Sequence, residues 1–151
     1  MAIFMATAIA QPLRANTNEL IRDAYLVGYC GGQYQLIRAT MAQSVVLGEL
    51  GADTTTATKS LMEYYRKKHE NIINSVDILG EQFKNNNMQP DALSMVIVKA
   101  INNAFTDYVT NISSFTDDTD VIHDFVVNKL LNDAQCDAIV DKLKKMSGTN
   151  N

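Results

Sequence analysis

Ala24-Tyr25-Leu26-Val27-Gly28-Tyr29-Cys30-Gly31-Gly32 decides how this chain is read. It sits inside an apolar-periodic stretch from Leu20 to Leu50, with small or apolar residues at Leu20, Ala24, Gly28 and Gly32 and Ile21, Tyr25 and Tyr29 on their flank. That spacing is helical, yet three glycines stand where each costs a helix roughly 1 kcal/mol against alanine. Two readings fit. In one, Ala24, Gly28 and Gly32, four apart, form a bare face on which a second helix backbone can approach closely, either within the domain or from a docking partner. In the other, Gly31-Gly32 ends one helix and turns the chain into a second near Gln33.

Working outward toward the C-terminus, the periodicity runs through Leu36, Ile37, Thr40, Met41 and Val45 to Leu50 and stops at Gly51. Asp53 or one of Thr54 to Thr56 caps a second helix, whose stripe is Ala57, Leu61, Tyr65, Ile72, Val76, Leu79 and Phe83. Asn85-Asn86-Asn87 breaks that pattern, and Pro90 with Asp91 suits the first turn of a third helix. The third is the most apolar, through Leu93, Val96, Ile97, Ala100, Ile101, Ala104, Phe105, Tyr108 and Ile112, and is expected at the centre as the most buried element. A polar junction follows. Val121, Ile122, Phe125, Val126 and Leu130 then read as a short fourth helix, and Asn132 with Gln135 as a capping box opening a last helix with Cys136, Ile139, Val140, Leu143 and Met146 inward. The spacing predicts an all-α fold, a compact bundle of four to five helices over residues 16–148, with 149–151 a loose tail.

Residues 1–15 stand apart. Met1 to Ala10 is apolar throughout, and Ala8-Ile9-Ala10 before Gln11 fits the small-residue rule for signal-peptidase cleavage, although the first cation is Arg14. The segment reads as a signal peptide or as an N-terminal arm on the core. Export makes the protein periplasmic or secreted; a retained N-terminus makes it cytoplasmic. Past this segment there is no apolar run of the roughly 20 residues that cross a bilayer, so no stable membrane insertion is expected once processed.

The two cysteines follow that choice. In an oxidising compartment Cys30 and Cys136 form one disulfide between the first and last helices, closing a span of 106 residues. In a reducing one they are two buried thiols.

Charge and motifs exclude more than they assign. Thirteen Lys and Arg against seventeen Asp and Glu give a net charge of -4, the opposite of the basic footprint that phosphate neutralisation needs, so no nucleic-acid partner is expected. The basic cluster Arg66-Lys67-Lys68-His69 lies between Glu63 and Glu70 and fans around its helix, as a solvated face does. His69 falls on the apolar stripe with no acidic or cysteine residue three or four positions away, which suits a half-buried histidine held by a neighbour better than a ligand. Asp117, Asp118 and Asp120 could hold a hard cation, but the spacing, glycine and distal glutamate of a calcium loop are missing, and aspartates at a helix start account for them. Nucleotide-binding glycine loops, nucleophile elbows, paired-cysteine motifs and zinc-binding histidine pairs are all absent. No metal, no cofactor and no enzymatic activity are expected.

The reading that results is a small exported binding protein of inhibitor, immunity or adaptor type, whose partner is another protein. In size, helix content and the placement of one cysteine in the first helix and one in the last, the chain resembles the periplasmic immunity proteins of bacterial contact-dependent toxin systems; no motif carries that likeness and no functional residue is transferred from it. The competing reading is a ligand-binding bundle with a pocket lined by Tyr25, Tyr29, Tyr34, Tyr64 and Tyr65. A cytoplasmic effector or structural subunit is a third.

Overall fold

The computed structural model describes residues 16–46, 52–112 and 133–148. They form four helices: α1 (Thr17–Val46), α2 (Ala52–Asn85), α3 (Pro90–Ile112) and α4 (Asp133–Met146), with no strand among the described residues. The protein is an all-α helical bundle. Residues 1–15, the candidate fourth helix with its flanking junction, Asn132 and the tail 149–151 lie outside the described residues.

Local chemistry sets the boundaries. Asn16 caps α1, its Oδ1 accepting from the Asn18 backbone N–H at 3.0 Å. Gly31-Gly32 does not interrupt α1, which runs unbroken for 30 residues. The asparagine run ends α2 by a left-handed cap. Asn87 adopts φ 56°, its N–H reaches the Lys84 carbonyl at 3.0 Å, and the Met88 N–H reaches Phe83 at 2.9 Å. Those two bonds satisfy carbonyls that a helix end otherwise leaves open, and asparagine tolerates the left-handed region better than any branched residue. Gly148, at φ 72°, lies just past the end of α4.

α1 is the centre of the bundle. It packs on α2, α3 and α4, whereas α4 packs on α1 and α2. Leu20, Ala24, Val27, Cys30, Tyr34, Ile37 and Met41 form one continuous buried stripe along it, joined in the core by Tyr65, Ile72, Leu79 and Phe83 from α2 and by Ile139, Val140 and Leu143 from α4. Each fully buried leucine or isoleucine here contributes roughly 1.5–3 kcal/mol. The opposite side of α1 carries Gly28 and Gly32, which face α3. Helix α3 runs parallel to α1, with Gly28 beside Ile97 and Ala100 and Gly32 beside Ile101 and Ala104. Helix α4 runs antiparallel to it, through Tyr34 with Asp133, Cys30 with Cys136 and Asp23 with Lys142.

The sequence-based placement of the third helix at the centre is therefore corrected. Its apolar residues cover too many faces for all to be buried against α1 and α2. Ala100 and Ala104 are buried against α1, while Met95, Val98, Phe105 and Val109 are 72%, 56%, 46% and 58% exposed. The helix bearing glycines takes the centre because small residues let neighbours close in on it from several sides.

Candidate interaction surface

The crossing of α1 and α3 is tight enough to be read atom by atom. A Cβ on Gly28 would lie 2.8 Å from the Ile97 carbonyl oxygen, 2.9 Å from the Ala100 Cβ and 3.0 Å from the Ile97 Cα. A Cβ on Gly32 would lie 3.0 Å from the Ala104 Cβ and 3.3 Å from the Ile101 Cα. Ala24 is fully buried. Glycine on one helix thus meets alanine on the other, and the contact is backbone against backbone. Polar pairs flank the seam. Asn103 Nδ2 donates to Tyr25 Oη at 2.9 Å, Tyr29 Oη donates to Asp107 at 2.6 Å, and Thr40 and Tyr108 share a hydroxyl hydrogen bond at 2.5 Å. Burial, reinforced by the Asp107 carboxylate, pushes the Tyr29 phenol up to about 12.

On the far side of α1, Cys30 and Cys136 are joined, with Cα atoms 5.8 Å apart, and both are almost fully buried. Asp133 at the start of α4 is the polar counterpart of that bond. Tyr34 and Tyr64 donate to its two carboxylate oxygens at 2.7 and 2.9 Å, and Lys68 lies 3.5 Å away while binding Asp137 at 2.5 Å. Burial alone would raise the Asp133 carboxyl; the two phenols and the Lys68 charge outweigh it and hold the group below the usual carboxylate range. Lower down, Lys142 reaches both Glu19 at 2.7 Å and the buried Asp23 at 2.6 Å. Together these contacts fix α4 to α1 and α2 along its length.

The five tyrosines are not brought together into one pocket. Tyr25 and Tyr29 stack with ring centroids 6.1 Å apart on the α3 side. Tyr34, Tyr65 and Tyr64 pack successively at 5.9 and 5.2 Å on the α2 and α4 side, with Tyr34 and Tyr65 in the core. The cause is helical geometry: at about 100° per residue, Tyr34 lies half a turn around α1 from Tyr25. Three members of the basic cluster are likewise engaged inside the chain. Arg66 pairs with Glu63 and Glu70, Lys68 with Asp137, and the Arg38 guanidinium lies 3.4 Å from His69 Nδ1. Burial, followed by the Arg38 charge, lowers the His69 pKa. No group of three or more metal-binding side chains occurs among the described residues.

The surface feature missed by the spacing argument is the outward face of α3. Met95, Val98, Phe105 and Val109 recur at intervals of three, seven and four, forming one stripe with Asn102 at its middle. A shallow groove of about 640 Å³ runs along its first half, lined by Ser94, Met95, Val98, Lys99, Asn102 and Asn103. Among the described residues the other exposed large apolar side chains, Ile21, Tyr64 and Ile73, lie on α1 and α2. Two residues could have revealed the stripe beforehand: Ala100 and Ala104 are the small complement to Gly28 and Gly32, and placing them inward turns Val98 and Phe105 outward. Among the described residues no helix is long and apolar enough to cross a membrane, so the stripe is not a spanning segment. Compared with known proteins, the chain matches no family model, no curated protein and no solved structure.

Proposed function

We propose that this chain is an exported helical binding protein that acts by protein–protein contact, with no catalytic role, and that the outward face of α3 is its contact surface. The observation that carries the reading is the exposed stripe of Met95, Val98, Phe105 and Val109 on a helix whose opposite side is packed backbone to backbone against α1. Contiguous exposed apolar surface costs solubility, and on a stable domain it marks a contact site. The buried bridge between Cys30 and Cys136 supports an oxidising compartment, because such bonds persist outside the reducing cytosol. The engagement of the titratable groups with one another supports a structural role for them over chemistry on a substrate.

The test is capture of a binding partner from the native source by the wild-type chain, by Val98→Glu and by Ile73→Glu, the last a control on α2 of similar exposure. The reading expects capture by wild type and by Ile73→Glu and its loss with Val98→Glu. Equal capture by all three refutes it.

A further inference from the structure

We infer that the partner of the α3 face is a second copy of this chain, paired through a short parallel two-stranded seam; the inference rests on the assignment of that face as a contact surface. Met95, Val98, Asn102, Phe105 and Val109 follow the alternating three- and four-residue spacing of a coiled-coil seam, with Met95, Asn102 and Val109 in one set of layers and Val98 and Phe105 in the other. All five positions are exposed. A polar asparagine in the middle layer of such a seam is the device by which parallel helix pairs fix register and strand number, each amide satisfying its counterpart. In an antiparallel pair the same Asn102 would lie against Phe105 and lose a partner for its amide.

Size and charge both allow a like copy. The four exposed apolar side chains present on the order of 400 Å² of surface, within the range of functional patches. Two copies together would bury about 800 Å² of apolar surface, and Asn102 with a rim of Ser94, Lys99 and Thr106 brings the total to roughly 1,200 Å², the lower edge of a specific interface. That area is at the low end, where transient pairs lie. Lys99 is the only charged residue along the groove and stripe, so two copies meet without a field of like charge. The sides of α1, α2 and α4 that hold the domain together face away from this seam.

Sedimentation velocity of the full chain from about 1 to about 200 µM tests the pairing. The expected result is a mass rising from one chain to two, at least a tenfold weakening in Val98→Glu with an unchanged far-ultraviolet spectrum, and no weakening in Ile73→Glu. Orientation is read with Asn102→Cys under mild oxidation, where a parallel pair gives a covalent dimer; Cys30 and Cys136, 3% and 2% exposed, do not compete for the new thiol. A dimer that never cross-links at position 102 overturns the parallel seam. A monomer at every concentration overturns the second copy. If Val98→Glu still abolishes capture of a different protein, the contact face survives that result; if capture is unaffected, the face falls with it.

Discussion

Replacing Gly28 by alanine is the perturbation whose outcome the geometry determines most sharply. In an ordinary helix interior the change stabilises by about 1 kcal/mol, because alanine restricts the unfolded chain and favours helix. Here the added Cβ would meet a carbonyl oxygen, a Cβ and a Cα of α3, all at or below 3.0 Å. None of these is the end of a flexible side chain, so relief requires α1 and α3 to move apart and loosen the packing along their seam. Overpacking of this kind costs about 1–3 kcal/mol, which leaves a net destabilisation of about 0–2 kcal/mol after the propensity gain of about 1 kcal/mol. The other glycines supply internal controls. At Gly32 the tightest contact is 3.0 Å to the Ala104 Cβ, and gain and loss nearly cancel. At Gly31 the added methyl meets Ile72 Cγ2 at 3.2 Å, where the buried isoleucine, stiff at χ1, must give by a few tenths of an ångström, and at Gly80 it meets nothing nearer than 4.0 Å. Gly80→Ala should therefore stabilise by about 0.5–1 kcal/mol and Gly31→Ala by somewhat less. Urea unfolding of the four variants at constant m-value gives the order directly. If Gly28→Ala stabilises as much as Gly80→Ala, the close crossing is refuted.

Three further outcomes follow from the other contacts. His69 has a folded pKa below its unfolded value near 6.5, so its contribution to stability is fully present above about pH 6.5 and is lost as pH falls toward the folded value; His69→Gln should flatten the stability–pH curve just below about pH 6.5, and an unchanged slope contradicts the assignment. Replacing Cys30 and Cys136 together by alanine removes a constraint spanning 106 residues and should lower unfolding free energy by about 2–5 kcal/mol, with the loss absent if wild type is measured under full reduction. Lys142→Met strands the buried Asp23 carboxylate and should cost about 1–3 kcal/mol, the partial exposure of Lys142 keeping it below the value for a fully buried pair; in Asp23→Asn the same lysine change should cost little.

The parts of the fold that local chemistry determines were legible in the sequence. Helical spacing gave the four helices described, Pro90 and Asp91 gave the start of α3, and the asparagine run gave the end of α2. The orientation of α3 was not legible from its own residues. Ile97, Ala104 and Tyr108 lie on one side and Val98, Phe105 and Val109 on the next, both apolar, so spacing alone offers two answers and Phe105 was expected inside. Only the complementarity of Ala100 and Ala104 with Gly28 and Gly32, which requires two helices to be considered together, separates them. The tyrosines illustrate the opposite case: the half-turn between Tyr25 and Tyr34 was available from helix geometry and already divides a five-tyrosine pocket. Asp133 joins Tyr34 across 99 residues and Tyr64 across 69, and no local pattern announces a contact of that range.

The contact surface proposed for this protein is the outward face of α3. Methyl-resolved NMR of the chain titrated with its captured partner, or with excess unlabelled chain, tests it most directly. Shifts or broadening are expected at Met95, Val98 and Val109, with the exposed methyls of Ile21 and Ile73 unmoved. Perturbation centred on Ile21 or Ile73, with the α3 methyls silent, would contradict it.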